Sequence, residues 1–354
     1  MDLTDKSTKV RQGEEFDLKV VEHFLKDSIA GLSGNLAVEQ FPSGFSNLTY
    51  LIKVGGTDLV LRRPPFGRKA KTAHDMGREY RILTALHPVF PYCPKPLIYT
   101  EDESIMGCPF YVMERIPGII LRKKLPKGLE LSPAQMRALC EKLLDVHYKL
   151  HSIDYKAIGL EGFGKPEGYV RRQVEGWSER YKAAWTPDAP TFEKVIQWLH
   201  DNMPPDFEKP AIIHNDYKFD NVVLNPDNPL EIIGVLDWEM ATIGDPLMDL
   251  GNSLGYWVQA DDPPEVQAAG MLPTNLPGAL TRAEMVKRYE DKSGINLENF
   301  DFYLFFGFFR IAVILQQIYY RSYHGQTKDE RFKVLIFGVH IIDSELKKHL
   351  KSEA

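Results

Sequence analysis

The sequence predicts an α+β protein in two parts, a small antiparallel sheet followed by a larger, mostly helical region. Two observations carry that prediction. Short apolar strands separated by turn residues fill the first part of the chain, and helical apolar spacing dominates beyond Pro117-Gly118. A length of 354 residues suits two such parts better than one small core.

Taken in order, apolar residues at Phe16, Val20, Phe24 and Leu25 have helical spacing and predict a leading helix within Phe16–Leu32. Leu36–Phe41, Leu48–Val54 and Leu59–Arg62 read as three strands, the last two joined by the hairpin signal Gly55-Gly56. A helix is expected over Ala73–Leu86, then strands around Leu97–Tyr99 and Pro109–Met113. Ser132 with Pro133 behind it is an N-cap and first helical position, predicting a helix to His151. Strands are expected again at Val222–Leu224 and Ile232–Leu236. The run Phe302–Tyr320 has nearly the length of a membrane span, yet Arg310 sits inside it and Gln316 and Gln317 come after, so a buried helix is expected.

Composition excludes several classes. A net charge of -6 disfavours a general nucleic-acid binder, which needs a clustered basic surface. Cys93, Cys108 and Cys140 form no CxxC pair, so neither a disulfide framework nor a zinc site is suggested, and a reducing cytoplasm fits. The first residues, MDLTDKSTKVRQGEEF, contain no apolar leader segment.

The chemistry concentrates between Ile212 and Leu250. His214-Asn-Asp216 with Asn221 five positions later matches a kinase-type catalytic loop, in which the Asp holds the acceptor hydroxyl and the Asn ligates a metal. Asp237, after an apolar strand, is the second expected magnesium ligand, and Glu239 is placed to assist another ion. Lys218 stands where it can neutralise charge on a transferring phosphoryl group. A hydrolase would instead want a nucleophilic Asp in a D-x-D pattern after a parallel strand, and none is placed that way.

LVLRRPP, YVMERIPG, HNDYKFDN and VLDWEMATIGDPLMDL together resemble the aminoglycoside phosphotransferase-like family, and its branch fused to acyl-CoA dehydrogenases in particular. The resemblance implies a protein-kinase-like two-lobed fold, ATP with magnesium, and a small-molecule hydroxyl as acceptor. It implies a nucleotide-binding lobe at 1–112, a hinge at 113–118 and a helical lobe at 119–354. Strand alternation puts Val60 and Arg62 on one face. By resemblance Val60 would touch adenine and Arg62 would replace the usual phosphate-binding lysine, with Glu79 orienting it. Ser43, Ser46 and Asn47, in a loop poor in glycine, would cover the phosphates, and the backbone of Glu114 and Ile116 would meet adenine.

Asp249 is expected to hold the catalytic loop by accepting from its backbone N–H groups, with Asp245 and His214 as scaffold. His147 and His151 have zinc-pair spacing, but the sequence shows no third ligand. The acceptor stays open among aminoglycosides, hydroxyacyl thioesters and choline-like or sugar alcohols. Arg171, Arg172 and Arg180 in a mildly basic, aromatic segment lean toward an anion. The rival reading is a silent nucleotide-binding module linked to fatty-acid oxidation and an acyl-CoA dehydrogenase partner. Neither reading involves nucleic acid or a membrane.

Overall fold

A computed structural model describes residues 3–42, 47–65, 75–327 and 329–352. The chain begins with α1 (Leu18–Ser28), capped by the Asp17 carboxylate, which accepts from the N–H groups of Lys19 and Val20. Then come β1 (Leu36–Gln40), β2 (Leu48–Val54), β3 (Thr57–Arg63), α2 (Met76–Leu86), β4 (Pro96–Thr100), the one-turn α3 (Glu103–Met106) and β5 (Phe110–Glu114). These strands form one antiparallel sheet in the order β1-β2-β3-β5-β4. Gly55 and Gly56 both have positive φ, which a two-residue hairpin between β2 and β3 requires.

Further on are β6 (Ile119–Ile120), α4 (Pro133–His151), α5 (Tyr169–Ala184), α6 (Glu193–Asp201), β7 (Ala211–Ile213), a 3₁₀ turn at Phe219–Asn221, β8 (Val222–Leu224) and β9 (Ile232–Val235). A second 3₁₀ turn (Trp238–Met240), β10 (Thr242–Gly244), α7 (Pro246–Gly255), α8 (Pro264–Ala269), α9 (Arg282–Ser293), α10 (Asp301–Tyr323) and α11 (Leu335–Ser352) complete the order. α4 starts as its sequence predicts, with a capping box between Ser132 and Gln135 and Pro133 in the first turn.

The chain divides into two compact units. The smaller comprises Met1–Ile120, Ile158–Leu160 and Asn221–Ala241; the larger comprises Leu121–Ala157, Glu161–Asp220 and Thr242–Ala354. This differs from a linear division at 112 and 118, because Asn221–Ala241 returns to the smaller unit. β8 pairs with β6 and β9, Val235 N–H donates to Tyr92 O at 2.7 Å, and Trp238 packs edge-on against Phe90.

Within the smaller unit, one sheet face is apolar. Leu59 and Leu61 join Leu36, Ile52, Val21 and Leu25 in its core. Val60 and Arg62 alternate to the other face, as the pattern of β3 predicts.

In the larger unit, α10 is a core helix. It alone among the described helices is long and apolar enough to cross a membrane, but 67% of its most apolar window is buried in protein. The Gln316 side-chain amide is used inside the protein, donating to Ala184 O at 2.9 Å and to Thr186 Oγ1 at 3.0 Å. α7 and α10 meet backbone to backbone, since a Cβ on Gly307 would lie 2.1 Å from Gly251 O. The three cysteines are free thiols.

Candidate functional site

In the smaller unit, β3 carries Arg62 into a cluster of carboxylates. Its Nε lies 3.1 Å from Glu79 Oε2, and its Nη2 lies 3.0 Å from Asp237 Oδ1 and 3.6 Å from Glu239 Oε2. Glu79, expected from its position on α2, is buried and also accepts from Tyr111 OH at 2.7 Å and Asn47 Nδ2 at 2.9 Å. Asn47 reaches across to Glu239 Oε2 at 2.8 Å, so its amide braces two carboxylates. Burial raises Glu79 above the usual carboxylate range even with Arg62 beside it, whereas the surrounding acids outweigh burial for Arg62 and keep it charged.

Three carboxylates thus gather around one guanidinium, a set of hard oxygen ligands of the kind that suits a divalent cation. Asp237 and Glu239 are the members still partly exposed, at 33% and 20%. Asp237 has φ 66° and ψ 64°, a left-handed conformation that is unfavourable for a non-glycine residue and turns the chain sharply after β9. Asn221 is buried at the head of β8 and fixed to the same segment, its carbonyl accepting from Leu236 N–H at 2.8 Å. Asp237, Glu239 and Asn221, all in this unit, are the residues that could hold a metal. Val60 sits on the Arg62 face of β3; Glu114 ends β5, its N–H donating to Lys95 O, and the Ile116 side chain packs over Gly234. Ser43 and Ser46 lie outside the described residues.

Asp216 and Lys218 belong to the larger unit, in the loop that leaves the buried strand β7. Lys218 Nζ is 2.5 Å from Asp216 Oδ2 and 3.4 Å from Asp220 Oδ1. Burial opposes the ammonium charge, but the two carboxylates more than offset it and raise the Lys218 pKa. Asp220, pushed up by burial, is a site member that sequence reasoning passed over, although it directly precedes Asn221.

The loop is held from behind by Asp249, as expected. Its Oδ2 accepts from His214 N–H at 2.7 Å and its Oδ1 from Asn215 N–H at 2.6 Å. The two histidines of α4 converge on the same carboxylate, His147 Nε2 at 3.0 Å and His151 Nε2 at 3.1 Å from Oδ2. The third group that the sequence did not show beside this pair is therefore Asp249. Each contact is accounted for as a hydrogen bond, and His151 Nδ1 is engaged by Tyr289 OH at 2.8 Å.

Asn215 has φ 64°, and its backbone N–H, its carbonyl and its side-chain oxygen are all gripped. Beyond the Asp249 bond, its carbonyl accepts from Arg310 Nη2 at 2.8 Å, and its Oδ1 accepts from Tyr169 OH and Asn252 Nδ2, both at 3.2 Å. These bonds fix the backbone immediately before Asp216. Arg310 and Asn252 come from helices far along the chain, and no local motif marks them.

A small antiparallel sheet, a catalytic-type loop on a short strand and an acidic turn after a strand pair define a protein-kinase-like α+β fold. Its likeness to choline kinase of Cryptosporidium parvum, TM-score 0.62 over 94% of this chain and 97% of the other at 12% identity, shows the same fold. The model of the phosphotransferase enzyme family matches residues 37–279, and the chain belongs to that family. It is 32% identical to a Ralstonia eutropha protein assigned to the aminoglycoside phosphotransferases, with TM-score 0.80 over 96% of this chain and 99% of that one. It is also 37% identical, over 90% of its length, to acyl-CoA dehydrogenase family member 10 of Mus musculus. The chain spans only 30% of that mouse protein.

Proposed function

We propose that this chain transfers the γ-phosphoryl group of ATP, with magnesium, to a hydroxyl of a small molecule. The observation that carries the reading is the carboxylate cluster at Arg62, with Asp237 and Glu239 still accessible, in a chain that also keeps Asp216 paired to Lys218. Asp237, Asn221 and Glu239 would hold magnesium, which would supply positive charge to offset that of the phosphates. Arg62 contributes a permanent positive charge toward the nucleotide, and Glu79 fixes its direction. Asp216 orients the acceptor hydroxyl and takes its proton as the acceptor oxygen bonds to γ-phosphorus, the bond to the bridging oxygen breaks and ADP leaves. Lys218 offsets charge on the group in flight.

For the acceptor, similarity to the dehydrogenase-named relatives supports a hydroxyacyl thioester, with an acyl-CoA dehydrogenase as functional partner. Asp216→Asn should lower transfer by about a hundredfold or more while ATP binding measured by calorimetry stays within about twofold. Unchanged turnover in that variant removes Asp216 from the mechanism. ATP binding without transfer to any hydroxyl compound by the unaltered chain would establish the silent-module alternative.

A further inference from the structure

Arg310 is a cation in the wrong place for a purely structural residue. It lies in the middle of α10 at 4% exposure, and among the described residues no carboxylate pairs with it. Its Nη2 donates to Asn215 O, its guanidinium sits 5.1 Å from the Trp177 ring centroid, and its Nη1 is buried without any acceptor. A buried guanidinium loses its hydration, and one backbone carbonyl and one ring face return only part of it.

A second cation makes the imbalance larger. Arg180, on α5, lies 4.7 Å from the same Trp177 ring and is exposed. Burial of part of its side chain and the charge of Arg310 together lower its pKa. Two like charges on one indole repel, and a protein tolerates that when an anion completes the group. The place is set by the chain itself: the carbonyl that Arg310 holds belongs to the residue immediately before Asp216.

We infer that Arg310, with Arg180 across Trp177, is the acceptor-reading element of this site and takes an anionic oxygen, carboxylate or phosphate, carried by the molecule whose hydroxyl Asp216 holds. The inference rests on the phosphotransferase reading for the word acceptor, but not for the anion. Arg310 is the inner donor, Nη1 supplying a charge-assisted hydrogen bond. Arg180 is the outer one, free to move off the indole as the anion enters. A polycationic acceptor is disfavoured by the same two charges, which separates this chain from aminoglycoside chemistry at the level of named residues.

The test compares three acceptors with the full chain: 4-hydroxybutyrate, its coenzyme A thioester and neutral 4-hydroxybutanamide. Phosphoryl transfer is monitored with MgATP, and binding by calorimetry without nucleotide. Arg310 also steadies the loop, so the readout is the ratio of kcat/KM between charged and neutral acceptors, which a general loss of loop order does not change. A charged acceptor should be preferred by about tenfold to hundredfold. Arg310→Gln should erase that ratio, Arg310→Lys should restore part of it, and Arg180→Gln, which touches no loop atom, should reduce it by a smaller factor. Preference for the free acid alone assigns the site to a carboxylate; preference for the thioester alone assigns it to the phosphates. Equal use and equal binding of all three compounds, or a ratio unchanged in Arg310→Gln, overturns the inference. If none of the three is phosphorylated but the charged compounds still bind through Arg310 and Arg180, the anion site stands and its assignment to the acceptor is overturned.

Discussion

The carboxylates around Arg62 and the carboxylate of Asp249 are both largely withdrawn from water, but their charge is settled in opposite ways. Asp249 is a single acid that accepts from two backbone N–H groups and two imidazoles, so four donors converge on one carboxylate. Around Arg62, Glu79, Asp237 and Glu239 share one guanidinium, and two of the three keep access to solvent. A buried acid wrapped by donors is a fastener, and a group of acids that keeps access to solvent can receive a cation. Arg310 and Arg180 are the same principle with the sign reversed.

The largest effect should come from unfastening. Asp249→Ala leaves four donors without an acceptor in a dry interior and should cost about 3–5 kcal/mol, read as a lowered urea midpoint with an unchanged slope. A loss under about 1 kcal/mol would mean that other groups hold the loop and that Asp249 is no fastener.

Next in size is a pH effect peculiar to the fastener. Burial, with His151 beside it, holds His147 at about 4, below its usual 6.5. The folded state therefore binds this proton less readily than the unfolded chain. The stabilisation is complete above about pH 6.5 and is lost as pH falls toward 4, amounting to about 3 kcal/mol across that window. Burial raises Asp245 to about 6, and that acid acts in the opposite sense, costing stability as pH rises through its range. The difference between the unaltered chain and His147→Gln, measured by urea unfolding from pH 7.5 to 4.5, isolates the histidine. Parallel curves for the two proteins would show that His147 is not neutral in the fold.

The smallest effect, and the sharpest for the receptor, comes from Arg62→Met. Glu79, already raised by burial, takes up a proton when its cation is removed, which limits the loss of stability to about 2 kcal/mol. Asp237 loses the cation that lies 3.0 Å from it, so Mg²⁺ alone should bind about threefold to tenfold more tightly while MgATP binds more weakly. Calorimetry showing both affinities falling together would make Arg62 a metal-site scaffold and not a balancing charge.

Much of this was legible because it is local. Alternation along Leu59-Val60-Leu61-Arg62 separates core from site face, and Ser132-Pro133 with Gln135 marks the start of α4. The order of acids from Asp216 to Asp249 identifies the loop, its turn and its anchor. The features that could not be read depend on contacts across long stretches of chain. Nothing near Asn221 indicates that the segment to Ala241 joins the smaller unit through β6 and Tyr92. The i, i+4 spacing of His147 and His151 suggests a metal until Asp249, 98 residues beyond His151, arrives as their hydrogen-bond partner. Arg310 stands in the sequence as an argument against a membrane, and in the fold it supports Asn215.

The close approach of Gly251 and Gly307 has a consequence for the order in which the protein becomes active. Because α7 and α10 touch through bare backbone, the helix carrying Asp249 and the helix carrying Arg310 seat as one step. The loop around Asp216 is synthesised about ninety residues before Arg310 and waits, incompletely gripped, until α10 docks. The full grip on the loop is therefore acquired late in biogenesis, well after the Arg62 strand has formed its hairpin. A chaperone that delayed α10 would delay the ordering of this loop without disturbing the sheet.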